Sequence, residues 1–464
     1  MVTLRIFNGK IKFGRDENKQ WTQILAAITI SMYAYLLGVS SNWTSPAIPK
    51  LISNDSHIPM TFEQTAYFGV LQSFCMAIFS FAGVFIGDAI GRKRTACIIS
   101  VLQITTWLFI GFAQSPFLLY ASRVTSGMCD ALFLFSVLYY VTEITEKHIR
   151  GRIGILAPIW FSIGALVINM FGYYYSIRTT AFVMVIPPFI HFMVFSLMPE
   201  SPYWLIQKDR LVEAKKQLQI LRWREDVDKE FEEMTDSVRK QFTERGSYKD
   251  LFVVKSNRKA FVMALIARMA QQFSGTTAIN GFMQYIFEEA GDGIPRHVSA
   301  SICAALAAAA SLSVTSVIDK YGRKPLMVIS AGACSVTLFA LSIFFYVKST
   351  EVDTSSVSWL PLVFMLAFIA FYSSGLAIIP ALILGELFPA PLKLKAVLVL
   401  TPFYGFFMMF TTKIFQLLVD NVAFYSPFLF YALITSGMTL TLYFTLIETK
   451  NKTFDEIQNI LKGK

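Results

Sequence analysis

Asp88-Ala-Ile-Gly91-Arg92-Lys93 and Asp319-Lys-Tyr-Gly322-Arg323-Lys324 carry the same charges around the same Gly-Arg-Lys, 231 residues apart (88 to 319). Two further sets repeat in the same order. Glu143, with Arg150 seven residues on, recurs as Glu386 with Lys393 seven on, an offset of 243. Pro199-Glu200-Ser201 is echoed by Ile447-Glu448-Thr449, an offset of 248. Three matches in one order at nearly one spacing mark two related halves. The sets lie beside long apolar stretches, so the repeated charges point to a paired device at a membrane face.

The rest of the chain has the composition of a membrane protein. It is 464 residues long, 55% hydrophobic and 16% charged, whereas soluble domains carry about 25% charged residues. A bilayer-crossing helix needs about 20 mostly apolar residues. By that measure spans are expected at 22–40, 65–87, 95–113, 117–142, 153–174 and 180–198, then at 260–287, 298–318, 325–347, 358–385, 396–420 and 424–447. The expected fold is an all-α membrane protein with twelve transmembrane helices in two pseudo-symmetric six-helix bundles. Its parts are an N-terminal bundle (1–198), a cytoplasmic helical linker (199–258), a C-terminal bundle (259–447) and a cytoplasmic tail (448–464).

The net charge of +10 raises nucleic-acid binding, and the placement of the charges argues against it. Of 41 Lys and Arg, 34 fall in the termini, the polar segment 199–259 and the loops that an even span count puts on that side. The opposite loops hold four: Lys50, Arg178, Arg296 and Lys348. Cytoplasmic loops are the ones enriched in Lys and Arg, so both termini and the linker are expected in the cytoplasm. The first 20 residues are polar with five basic groups, which is no cleavable signal peptide. All five cysteines fall in predicted spans, an odd number that implies no extracellular disulfide framework. The first outer loop is expected to contain two glycosylation sequons, Asn42-Trp-Thr44 and Asn54-Asp-Ser56, of which Asn54 stands farther from the membrane. The four His are scattered without metal spacing or a nucleophile–base pair, so no enzyme and no cofactor is indicated.

Charges inside spans are costly and mark function. They are Arg123 and Asp130 in span four, Arg268 in span seven, and Lys413 and Asp420 in span eleven. Arg123 stands close enough to a membrane surface to snorkel, and Arg268 could do the same near the cytoplasmic end. Span one carries no acidic or basic residue between Thr22 and Lys50. In the linker, Leu211, Ala214, Leu218 and Leu221 form a helical stripe, and a more polar helix is expected over 225–245, together a brace beneath both halves.

Taken together, Gly91-Arg-Lys93, Glu143 to Arg150-Gly151, Pro199-Glu-Ser-Pro202, Gln271-Gln-Phe-Ser-Gly275, Gly322-Arg-Lys324, Gly385-Glu-Leu-Phe388 and Glu448-Thr-Lys450 resemble the sugar porter family of the major facilitator superfamily. The match runs over nearly the whole chain. Trp43-Thr-Ser-Pro-Ala47 and Thr412-Lys-Ile-Phe415 look like the insect branch that includes facilitated trehalose transporters. The resemblance implies alternating access, with a cytoplasmic gate of Arg92, Glu143, Arg150 and Glu200 mirrored by Arg323, Glu386, Lys393 and Glu448, beside the motif residues Asp88 and Asp319. Each exposed pair is worth about 0–1 kcal/mol, yet several that meet only when the mouth is shut tip a two-state equilibrium. Lys393 stands where the family has Arg, which loses bidentate pairing.

The resemblance thins at the substrate site. Gln271 and Gln272 match the family's span-seven glutamines, and Gly275 beside them can loosen the helix; Thr277 replaces the usual Asn, with Asn280 one turn on. Span eight reads Ala304-Ala305-Leu306-Ala307 through Ala310, span ten reads Pro380-Ala381 for Pro-Trp, and span eleven reads Tyr404-Gly405 for Asn-Trp. The pocket is therefore expected to be less polar and roomier than a hexose site. Coupled members carry an acid in span one, which this chain lacks. The expected function is facilitative, uncoupled transport of a sugar such as trehalose or a hexose across the plasma membrane by a monomer. The alternatives are transport of a less polar or anionic small molecule, and a non-transporting sugar sensor, for which the segment 448–464 is short.

Overall fold

Apolar helices build the framework of the computed structural model, which describes residues 3–6, 9–12, 21–146, 153–154, 156–243, 246–291, 293–350, 352–452 and 454–462. Among the described residues, nine helical stretches are long and apolar enough to cross a membrane. In the first half they are spans one (Trp21–Ile52), two (Phe62–Ile90), three (Arg92–Gly111), five (Leu156–Tyr174) and six (Ile177–Phe195). Span four, Pro116–Ile144, completes that half and carries Arg123 and Asp130. In the second half span seven is broken into Lys255–Phe273, Thr276–Gly281 and Met283–Ala290, and span eight is Arg296–Tyr321. Span nine is Arg323–Ser349, and span ten is broken into Leu360–Ser374 and Ile379–Leu387. Spans eleven (Ala390–Asn421) and twelve (Ser426–Thr445) finish the set. Twelve spans result, six in each half.

The interface between the halves is made by span two on span eleven and span five on span eight. Small residues let the first pair approach: Gly405 lies on Ala77, and Gly69 lies on the Thr412 methyl. The C-terminal half has one continuous apolar core, whereas the N-terminal half has two, one toward each face.

Three features differ from the sequence expectation. Span one continues to Ile52, because the stretch that reads as loop buries Trp43, Ala47, Ile48 and Leu51. Its polar groups are satisfied inside the bundle: Asn42 donates to the Gly38 carbonyl, and Ser45 donates to Asn169 (2.8 Å). Asn42 is thereby buried, and Asn54 stays exposed in the following loop. The chain is also not purely helical, since Thr3–Ile6 pairs antiparallel with Gly9–Lys12.

The linker is the third. Its helices, Pro202–Gln207, Leu211–Arg222 and Asp228–Thr243, pack mainly beneath the N-terminal half. Arg222 fixes them there, donating to Gln23 and to the Ile144 carbonyl (both 2.9 Å) and pairing with Glu230 (2.8 Å) and Glu146 (3.2 Å). Toward the C-terminal half the linker makes a smaller contact, with Tyr248 beneath the Lys395 ammonium. The helix Phe454–Lys462 covers that half instead, burying Ile457 and Leu461.

Candidate functional site

The repeated charges lie at one end of the helices, here the motif face. Span two ends at Ile90 and span three starts at Arg92, so one residue reverses the chain. That residue is Gly91, at φ 99°, where a Cβ would lie 2.4 Å from a Glu200 carboxylate oxygen. Gly322, at φ 89°, makes the same turn against Glu448.

Beside each turn a helix begins with backbone N–H groups that have no partner in the helix. Glu200 Oε1 accepts from those of Arg92 (3.1 Å), Lys93 (3.0 Å) and Ser201 (2.9 Å). Glu448 accepts from Arg323 and Lys324 (both 3.0 Å), Thr449 (2.9 Å) and Lys450 (2.8 Å). A carboxylate at a helix N-terminus also meets the positive end of the helix dipole. The repeated acid after the sixth span of each half is thus a cap on the third span of that half.

The other acid of each set pairs with arginine. Arg92 donates to Glu143 from Nε and Nη2 (3.0–3.2 Å) and from Nη1 to Asp88 (2.9 Å) and the Gly87 carbonyl (3.1 Å). Ser201 also donates to Glu143. In the mirror, Arg323 donates to Glu386 from Nε (3.2 Å) and Nη2 (3.0 Å), and Thr449 donates to the same carboxylate. The first pair is drier, its two side chains each 7% exposed against 17% and 26% in the second. Lys393 is exposed, its Nζ close to Gly385, and Arg150 and the Asp319 side chain lie outside the described residues. Of the gate residues read from the sequence, Arg92, Glu143 and Glu200 fall in one cluster and Arg323, Glu386 and Glu448 in the other. Each closes within its own half, because the motifs that meet belong to spans two, three, four and six, or to their counterparts.

The two caps differ in proton affinity. Burial pushes Glu200 above the usual glutamate value of 4.5, despite its N–H donors. Burial also opposes ionisation of Glu448, but four backbone N–H groups together hold it below 4.5. For Glu448 the linked stability is present above 4.5 and lost as pH falls through its folded value; for Glu200 it is present below 4.5 and lost as pH rises through its raised value. On acidification Glu200 is therefore expected to take its proton first. Carboxyl carbon-13 shifts followed by NMR should show Glu200 protonating at a higher pH than Glu448. The reverse order would contradict this assignment.

Near the middle of the spans, helix breaks supply polar backbone. Gly275, at φ 79°, interrupts span seven, and span ten is interrupted between Ser374 and Ile379. Gln271 joins the two, donating from Nε2 to the Ala377 carbonyl (2.9 Å) while Oε1 accepts from Arg268 (2.9 Å). Gln272 accepts from Thr277 (2.7 Å). Three of the four residues read as substrate contacts are thus brought together and hydrogen-bonded within the C-terminal half; Asn280 is half-buried in the following short helix. Arg268 does not snorkel: it stacks over the Tyr404 ring at 4.9 Å. Nor does Arg123, which is wholly buried over the Trp43 ring (4.6 Å) and donates to the Ser40 carbonyl (3.1 Å).

Toward the face opposite the motifs, polar contacts join the halves. Gln284 of span seven donates from Nε2 to the Asn169 carbonyl and side-chain oxygens (both 3.0 Å), and its backbone N–H donates to the Ser45 hydroxyl oxygen (3.2 Å). Tyr174 bonds His297 (3.1 Å), and Lys413 lies 3.6 Å from Glu63. Just inside this seal a cavity of about 60 Å³ remains between the halves, bordered by Ser41, Thr44, Gln72, Ser73, Thr277 and Met408 among others. Sequence reading missed Gln284, Asn169 and Gln72; each is an amide in an apolar span, a signal available only where a polar side chain is treated as seriously as a charge.

Comparison with known proteins agrees with this architecture. The chain is 32% identical over 449 residues to the facilitated trehalose transporter Tret1 of Polypedilum vanderplanki, covering 96% of this chain and 89% of that one. To the facilitated trehalose transporter Tret1 of Bombyx mori it is 29% identical over 440 residues, covering 94% and 86%. Among solved structures, the proton:xylose symporter XylE bound to 6-bromo-6-deoxy-D-glucose superposes with a TM-score of 0.76 at 18% identity, over 95% of this chain and 99% of that one. The inward-open conformation of the xylose transporter XylE from E. coli gives 0.77 at 18% identity, over 94% and 99%. That likeness shows the fold. The model of the family described as "Sugar (and other) transporter" matches residues 22–461, taking in all twelve spans and both copies of the charge set, and the chain belongs to that family.

Proposed function

We propose that this protein is a facilitative transporter that carries a sugar, trehalose or a hexose, across the plasma membrane by alternating access. The observation that carries the reading is the uneven junction between the halves. The polar contacts described between them lie toward one face, while the charge clusters of the other face each stay within one half. Rigid halves that rock about a midplane site are what alternating access needs. The clusters at Arg92 and Arg323 would keep each half rigid during that motion, with the motif face cytoplasmic as its basic residues indicate.

Uncoupled movement is supported by span one, whose contribution beside Arg123 is the Trp43 ring and the Ser40 carbonyl rather than a carboxylate. Gln271, Gln272, Thr277 and Asn280 would form the wall of the site on the C-terminal half, and Asn54 would carry a glycan outside. The test is uptake of radiolabelled trehalose, glucose and a polyol panel into proteoliposomes. Saturable uptake of at least one sugar is expected; uptake of none would overturn the sugar reading. A second reading, an anionic small molecule as cargo, is favoured by the Arg268 guanidinium near the middle of span seven. Under that reading an organic anion, and no sugar, would compete for uptake.

A further inference from the structure

Asp130 is a carboxyl group near the middle of span four, where a charge is expensive to keep. It forms no ion pair among the described residues. Its Oδ2 accepts from Gln72 Nε2 (2.8 Å), and its Oδ1 is buried without a partner among the described residues. The same Gln72 nitrogen reaches the Ser41 hydroxyl at 3.4 Å. Both N–H bonds of the Gln72 amide are therefore directed into the N-terminal half. Its carbonyl oxygen, with no described donor, is the group left for a ligand at the cavity between the halves.

Across the interface the polar side chains that border the cavity, Thr277 and Thr412, already donate within their own half. Thr277 donates to Gln272, and Thr412 donates to the Met408 carbonyl. Gln271 is held between Arg268 and Ala377. Tyr404 of span eleven is likewise engaged, lying beneath the Arg268 guanidinium at 4.9 Å.

We propose that Gln72, held by Asp130, reads the hydroxyl groups of the cargo from the N-terminal half, a specificity contact that replaces polar residues missing from spans eight, ten and eleven. Gln72 is the binding residue and Asp130 a positioning residue. An amide whose two N–H bonds are fixed cannot rotate to offer a donor, so the site selects ligands that donate: the hydroxyls of a polyol or sugar. At about 60 Å³ the cavity holds one or two waters, and the contact forms when the halves separate around the cargo. The inference rests on the proposed sugar transport.

The test compares Gln72→Ala, Asp130→Leu and Asp130→Asn in proteoliposomes, using whichever sugar the wild type carries. Gln72→Ala and Asp130→Leu should raise KM about tenfold, the worth of one lost hydrogen bond, with kcat kept within about threefold. Asp130→Asn retains an oxygen for Gln72 and should recover most of the affinity. Sugar-induced thermal stabilisation of the purified protein reads binding without turnover, and should weaken in the same order. A wild-type KM in both Gln72→Ala and Asp130→Leu would overturn this inference and leave sugar transport standing. No uptake of any sugar by the wild type would overturn both.

Discussion

Glu143→Ala is expected to destabilise the N-terminal half by about 3–5 kcal/mol, the cost of removing one partner of a buried ion pair. Arg92 is held among the ends of spans two, three and four, and its guanidinium meets Glu143 where neither side chain is more than 7% exposed. Without that carboxylate the charge keeps only Asp88, which is 53% exposed, and the Gly87 carbonyl. Ser201 loses its acceptor as well. The mirror change, Glu386→Ala, should cost about half as much, because water reaches Arg323 and Glu386 and screens the loss. Thermal unfolding of the purified protein in detergent measures both. Equal losses in the two variants would show that burial does not set the strength of these clusters.

Gly275→Ala is expected to lower the sugar uptake rate by about tenfold or more, with a loss of stability of about 2–5 kcal/mol from left-handed backbone strain and overpacking together. The new methyl would lie 2.3 Å from the Tyr431 ring. That ring cannot step aside: it is fully buried, and its hydroxyl donates to the Thr411 carbonyl (2.6 Å). The backbone of span seven must therefore shift where its break places Gln271 and Gln272. Gly437→Ala, whose methyl meets nothing within 4 Å, is the control and should leave uptake unchanged. Normal uptake by Gly275→Ala would show that the break in span seven is not needed for transport.

The architecture was legible because membrane crossing is a property of composition and length. The duplication was legible because Gly-Arg-Lys turns and their acids recur at nearly one spacing. Partners were not legible. Spacing put Glu200 near Arg92, but only packing shows that it binds backbone N–H groups while Glu143 takes the guanidinium. Span one read as ending near residue 40, since Ser, Asn and Pro mark loops in isolation; Asn169 and Arg123 on other spans make those residues at home in a helix. Gln271 was found from its motif, yet its engagement by Arg268 and Ala377 depends on where span ten breaks. Gln72 carries no motif at all, and its meaning comes from Asp130 on another helix.

Uncoupled alternating access is tested most directly by the plateau of sugar uptake in proteoliposomes, measured with and without an inward proton gradient. An uncoupled carrier only equilibrates its cargo. The internal concentration of the transported sugar should rise to the external one and stop there, with the same plateau under both conditions. Accumulation above the external concentration when the gradient is imposed would contradict it, and would identify a proton-linked carrier built without an acid in span one.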